Sequence, residues 1–385
     1  MLTPSELERI PVEIQKVLLE LSIRIMEDVV ERINMINSIS RTADYEIYRL
    51  SRIGLSSETI RKALQLTLSK TDSEIDKIYD EIIRGGYARD ENLYRAIGKP
   101  FTRYEDNQQL QQYIEAVKRQ TKDEMVNISQ STAIRVQGRK GVEYQDTSTY
   151  LKNKLDQAVT DITSGAFDYN KTIQSTIKEM TSSGIRVVEY DSGWHNRIEV
   201  AARRAVMTGV TQVTNQINNM NAEALKTNFF EVSWHSTARP THQLWQGRVY
   251  SKEQLETICG LGSIAGLSGA NCYHSYYPFI PNVSKRLYTD EQLEEMNAKE
   301  NEIKKYKGRE YTTYEATQRQ RQLEVLMRKY REDIYLGKIA GLSEDAIAMD
   351  TIKYRGAMQE YVDFSKKMEL PQQKQRIYQD GLGRV

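Results

Sequence analysis

Trp234-His235-Ser236-Thr237-Ala238-Arg239-Pro240-Thr241-His242-Gln243-Leu244-Trp245-Gln246-Gly247-Arg248-Val249-Tyr250 is the stretch on which the reading of this chain turns. It begins inside Phe229-Phe230-Glu231-Val232-Ser233-Trp234, a short run of aromatic and β-branched residues that predicts a strand. Glycine-rich residues 260–269 and the closing Asn271-Cys272-Tyr273-His274 follow it. Three of the four histidines, both cysteines and two of the three tryptophans fall inside this block. Upstream, Ile198, Ala201, Ala202, Ala205, Val206 and Val213 recur at helical spacing and predict one long amphipathic helix that ends near Leu225. Another strand is predicted over Ile185-Arg186-Val187-Val188-Glu189-Tyr190, between Gly184 and the turn residues Asp191-Ser192-Gly193. Helix, strands and loop together read as a small α+β module.

Outward from that module both ends read as helical. Thr3 as N-cap, Pro4 at the first helical position and Glu6 as capping-box partner start a helix. Its apolar stripe is Ile14, Leu18, Leu21, Ile25 and Val29, and Gly54 is expected to stop it. A second helix is predicted from Ser56 through Leu68, and a third from Ser73 to Ile83 that Gly85-Gly86 breaks. Gly138, Gly141 and the charged residues between Arg135 and Asp146 have the composition of an exposed boundary. Helices are predicted again over Thr149–Ser164 and Asn170–Ser182. From Thr289, which can cap a helix with Gln292, the chain turns polar and helical to its end, interrupted at Gly308 and Gly341. The expected fold is mainly α with a small α+β module: an N-terminal helical bundle (1–140), a central α+β domain with a short sheet (141–288) and a polar helical C-terminal tail (289–385).

Composition narrows the function classes. A chain of 385 residues can bury the cores of two or three domains without a disulfide or metal. Lys plus Arg is 54 and Asp plus Glu is 53, so no global field draws the chain to nucleic acid or an anionic membrane, and any DNA contact is local. A mean hydropathy of -0.64 and 24 Tyr against 6 Phe describe wetted, amphipathic surface suited to polar partners. No apolar run approaches the roughly 20 residues that span a bilayer. Met1-Leu2-Thr3-Pro4-Ser5-Glu6 lacks the basic and apolar regions of a secretory signal. The chain is therefore expected to be made and kept in a cytoplasm, with Cys259 and Cys272 as thiols.

Trp234, Ala238-Arg239-Pro240, His242, Trp245-Gln246-Gly247, Val249-Tyr250 and the closing Gly269, Asn271-Cys272 and His274 carry a resemblance to the phage minor capsid protein 2 family, itself related more distantly to the phage Mu F-like head morphogenesis proteins. The resemblance extends to Arg197–Gln212, with Ala201-Ala202-Arg203-Arg204-Ala205-Val206 and Gly209, and to Tyr314–Arg328, which is similar to the family's polar tail helix. It implies that the central domain is Mu F-like. It also implies a structural, non-enzymatic protein in the capsid interior near the portal vertex, made in the host bacterial cytoplasm and acting in head assembly, packaging or genome ejection. The implied partners are the portal protein, the major capsid or scaffolding protein, and packaged double-stranded DNA. Two alternatives stay open: a DNA-binding ejection protein released with the genome, and a Mu F-like enzyme or toxin-delivery module. Many Mu F-like relatives have paired cysteines after the conserved Trp, where this chain has Arg239 and His242, so a shared metal site is not implied.

The block itself supports several chemistries. His235, His242, Cys272 and His274 have the donor atoms of a tetrahedral zinc site, and Cys272 and His274, two apart on an extended chain, would face the same way. No CxxC or HxxxH pair is present, so a polar core in which the histidines and Arg239 satisfy loop carbonyls is an equal reading. A third makes Cys272 a nucleophile activated by His242 or His274, with oxyanion donors from the glycine-rich loop. Trp234, Trp245, Tyr250, Tyr273, Tyr276 and Tyr277 either plug the small sheet's core or stack on a partner. Arg319, Arg321, Arg328, Lys329 and Arg331 form a local basic stretch, read either as contacts to DNA phosphates or as a solvated face diluted by Glu324, Glu332 and Asp333.

Overall fold

The computed structural model describes residues 2–36, 44–138, 141–164, 169–187 and 195–383, which are mostly α-helical with small antiparallel sheets. The Thr3 capping box forms and opens α1 (Pro4–Arg9). α2 (Val12–Ile36) buries the predicted stripe, with Ile14, Leu18, Leu21, Ile25 and Val29 all at most 2% exposed. α3 (Asp44–Glu81) runs unbroken through Gly54, Ser56 and Ser73, so the expected stop and the two separate helices are one element. A glycine inside a helix costs only about 1 kcal/mol, which the intact turns on either side absorb. At Gly85-Gly86 the chain leaves the α path through a π-helical turn (Ile82–Gly86) and a 3-10 turn (Tyr87–Asp90), then forms α4 (Glu91–Ala96) and α5 (Gln108–Gln130).

The stretch read as an exposed boundary is a hairpin, β1 (Thr132–Gly138) and β2 (Gly141–Asp146), closed by the Gly138–Gly141 pair. Ile134 and Val136 face inward with Arg135 outward between them, an alternation too short to stand out in the sequence. α6 (Thr147–Ser164) and α7 (Tyr169–Ser183) follow as predicted, and β3 (Ile185–Val187) pairs with the other edge of β1. The remainder of that predicted strand, 188–190, and the turn 191–193 lie outside the described residues. α8 (Ile198–Leu225) leads to β4 (Phe229–Val232), the single-turn α9 (Pro240–Gln243), β5 (Val249–Ser251), α10 (Lys252–Thr257) and β6 (Tyr276–Phe279). Thr289 and Gln292 cap α11 (Asp290–Glu300). Gly308 sits at the turn of a small hairpin, β7 (Lys304–Tyr306) and β8 (Arg309–Tyr311), and Gly341 lies between α12 (Thr313–Ile339) and α13 (Glu344–Lys367).

The chain divides into two compact units, each drawn from three separate stretches. The first comprises Met1–Glu13, Asp72–Glu124 and Arg203–Arg319. Its helices close on Gly209: a Cβ there would stand 2.1 Å from Tyr79 Oη and 2.5 Å from Thr121 Oγ1, which hydrogen-bond each other at 2.8 Å. Tyr94 donates to Asn221 on α8, whose amide donates to Asp90 at 2.7 Å. The sheet has the order β5-β4-β6, with Phe230 opposite both Tyr250 and Pro278. Phe230, Val232, Trp245, Tyr250, Leu255, Leu267 and Tyr276 form one buried cluster around it.

The second unit comprises Ile14–Thr71, Met125–Ala202 and Gln320–Val385, and it buries several charged residues. Arg331 is fully buried and pairs with Asp380 through Nε at 2.6 Å and Nη2 at 2.9 Å, while Nη2 also donates to Gly383 O. Lys178 bridges Asp333 and Asp350 at 2.9 and 2.5 Å. Glu332 is buried with Oε2 unpartnered among the described residues. Burial pushes its carboxyl up to about 8 against the opposing pull of Arg197 and Arg328.

Asp380→Ala strands the Arg331 guanidinium and is expected to cost about 3–5 kcal/mol in urea unfolding; a loss below about 1 kcal/mol would show that the pair contributes little. Between the usual carboxylate range and about pH 8, folded Glu332 keeps a proton that the unfolded chain has released. Stability should therefore fall as pH rises through that window, by up to about 1.4 kcal/mol per unit, and level off above it. Glu332→Gln should flatten this slope, and parallel pH profiles for the two proteins would refute the assignment.

Candidate functional site

The site forms where β4 ends. Beyond Val232, Ser233 N donates to Ser275 O at 2.8 Å and Ser275 N donates to Ser233 Oγ at 3.0 Å, so strand pairing continues and sets Trp234 and His235 beside His274. Thr237 then turns with φ +64, its N–H and the Ser236 hydroxyl both donating to the Glu300 carboxylate at 2.7 Å. Arg239 is extended, Pro240 supplies the preset φ of a first helical position, and the single turn of α9 carries His242 inward. Gly247 ends this segment at φ +74, where a Cβ would stand 2.4 Å from Leu293 Cδ2.

Loop 259–272 is the other wall. Leu267 is buried in the sheet's core cluster, and its N–H donates to Cys259 O at 2.8 Å. Gly266 and Gly269 allow the loop to fold back on itself, since side chains there would meet the carbonyls of Gly260 at 2.1 Å and Ile264 at 2.4 Å. Two loop carbonyls thereby face the block: Ala265 O lies 2.8 Å from His242 Nε2, and Ala270 O accepts from Arg239 Nη2 at 2.7 Å. Asn271, at φ +57, then delivers the extended segment that carries Cys272 and His274.

Three of the four predicted donors converge. His242, Cys272 and His274 are all buried, with Cys272 Sγ 3.4 Å from His274 Nδ1 and 3.8 Å from His242 Nδ1, and the two Nδ1 atoms 3.4 Å apart. His235 stands outside the group, its ring against that of His274 at 4.2 Å between centroids and its Nδ1 2.8 Å from Ser236 O. The spacing of His235 in the sequence gave no sign of this, since it is the contact with its neighbour's carbonyl that occupies the His235 Nδ1 atom. Trp245 completes the packing, with ring centroids 4.6 Å from His242 and 4.8 Å from His274.

Hydrogen bonding fixes which nitrogen carries each imidazole proton. Ala265 O can only accept, so His242 Nε2 is the protonated atom. The His274 proton is set through two side-chain amides. The indole N–H of Trp234 can only donate, so the atom of Asn297 that faces it is Oδ1, which also accepts from Gln246 Nε2 at 3.2 Å. Gln246 Oε1 therefore turns to the backbone N–H of His235 and to His274 Nε2 at 2.9 Å, and His274 too is protonated on Nε2. Burial lowers the pKa of both imidazoles, that of His274 well below its usual range with help from His235 and His242, so both are neutral. Burial also raises the Cys272 thiol, which disfavours the thiolate–imidazolium pair that a cysteine nucleophile needs.

Asn297 and Glu300 complete the site without having been foreseen. They come from segments with no motif, and the only trace in the sequence is a few polar residues on α11. The basic stretch reads differently in three dimensions: none of its five side chains is exposed. Arg331 is held by Asp380, Arg328 donates to Arg376 O, Lys329 pairs with Asp333, and Arg321 with Glu324 and Gln373, so these four charges are engaged within the fold. Arg319 is half-buried. Of the aromatics, Trp245, Tyr250 and Tyr276 plug the sheet's core, whereas Trp234, Tyr273 and Tyr277 are half-buried around it.

Gly247→Ala should report how tightly this site is built. The substitution forces a Cβ into Leu293 at a positive φ, and a loss of about 1–3 kcal/mol is expected in urea unfolding; an unchanged midpoint would show that the 245–248 turn relaxes freely.

No curated protein and no solved structure matches the chain. The family described as Phage minor capsid protein 2 matches residues 2–363, a span that takes in the donor cluster, the glycine-rich loop and the first 140 residues to which no recognisable motif belongs. With nearly its whole length matched, the chain belongs to the phage minor capsid protein 2 family.

Proposed function

We propose that this minor capsid protein works inside the phage head near the portal vertex, as a structural, non-enzymatic component of head assembly, packaging or genome ejection, with the portal protein and the major capsid or scaffolding protein as its partners. The observation that carries the reading is the family match over residues 2–363. Three features of the molecule agree with it. Its net charge is +1, which suits protein contacts better than long-range attraction to DNA. Four of the cations nominated for DNA contact are spent on internal partners, which weakens the alternative of a DNA-binding ejection protein. Among the described residues no helix is long and apolar enough to cross a membrane.

Co-expression of the chain with portal, major capsid and scaffolding proteins, followed by affinity capture, tests the proposal. Capture of the portal protein is the expected result, together with retention of the chain in particles emptied of DNA. Failure to hold any of the three would overturn the assignment, and loss of the chain along with the DNA would favour the ejection-protein alternative.

A further inference from the structure

The cluster of His242, Cys272 and His274 has an electronic problem that protein atoms alone do not solve. Both imidazoles are protonated on Nε2, so both present the lone pair of Nδ1 to the same point, 3.4 Å apart and with no hydrogen between them. The Cys272 thiol has one proton and can serve one of them. Two buried acceptors aimed at each other repel, and one of them is left unsatisfied. A cation at the point where the lone pairs meet removes the repulsion and satisfies both.

The spacing is that of a metal's coordination shell. With metal–nitrogen bonds of about 2.0–2.1 Å and a metal–sulfur bond of about 2.3 Å, a tetrahedral ion sets its nitrogen ligands about 3.3–3.4 Å apart and nitrogen and sulfur about 3.6 Å apart. The three edges here are 3.4, 3.4 and 3.8 Å. Each imidazole already has the outer partner that a metal ligand requires, Ala265 O for His242 and Gln246 Oε1 for His274, and Gln246 is itself oriented through Asn297 by Trp234. One sulfur and two nitrogens favour a borderline ion such as zinc over calcium or magnesium, which take oxygen.

We infer that His242 Nδ1, Cys272 Sγ and His274 Nδ1 bind one Zn²⁺ ion, with water as the fourth ligand. No fourth His, Cys, Asp or Glu joins the group among the described residues. Cys272 also lies in the wall of a groove of about 510 Å³ that Arg203, Asn215, Ser268 and Tyr273 line, which gives water a route to the fourth position. Binding displaces the thiol proton to solvent, and the ion ties α9 to the segment that enters β6.

The test is titration of the full-length, chelator-stripped, reduced protein with Co²⁺. One equivalent should bind, with the strong visible absorption of a tetrahedral site and a thiolate-to-cobalt charge-transfer band in the near ultraviolet, and one equivalent of Zn²⁺ should displace it. Cys272→Ser should abolish the charge-transfer band, His274→Gln should weaken binding at least tenfold, and His235→Gln should leave both stoichiometry and spectrum unchanged. Absence of binding to the unsubstituted protein at micromolar free metal, or a bound Co²⁺ with no thiolate band, overturns the proposal without reliance on any variant. Loss of the site in a folded His235→Gln protein would overturn the three-ligand assignment.

Discussion

β4 is the central strand of its sheet, and hydrogen bonding along both its edges is the constraint on which the candidate site depends. One edge holds β5, the other β6, so the segments on either side of the donor cluster are fixed to a common reference. The Ser233–Ser275 pair extends that alignment past the end of β4 to the level of His235 and His274. Without it, Cys272 and His274 would still face the same way on an extended chain, but the strand register that helps to place His242 opposite them would be lost.

Around this frame the site is ordered from outside inward by groups that can act in one sense only. An indole N–H and a backbone N–H cannot accept, and a backbone carbonyl cannot donate. Trp234 and His235 N therefore settle the amides of Asn297 and Gln246, and through them His274, while Ala265 O settles His242. The glycines of loop 259–272 matter because they let backbone carbonyls come close enough to take part. Trp245 contributes shape, filling the space beside both imidazoles with an apolar ring that keeps water from the inner face.

The second unit solves a different problem, since it buries charged groups of the polar tail. Arg331 with Asp380, and Lys178 with Asp333 and Asp350, connect segments of the unit that lie far apart in sequence. Such pairs add little net stability over an apolar core, but breaking one leaves a buried charge alone. The composition of the tail concealed this, because paired internal charge and solvated charge use the same residues.

By itself the sequence determined what local rules control. The capping boxes at Thr3 and Thr289, the stripe from Ile14 to Val29, and the span of α8 from Ile198 to Leu225 are all present as read, because caps and helical periodicity are settled within a few turns. It also carried the Trp234–His274 stretch on which the resemblance to the family was read. Tertiary structure alone decided the rest: that Gly54 lies inside a helix, that 132–146 is a hairpin, that Arg328 and Arg331 of the tail turn inward, and that His242 joins Cys272 and His274 while His235 does not. The last two outcomes rest on contacts between residues about 30 to 50 positions apart, which a local reading of the sequence does not reach.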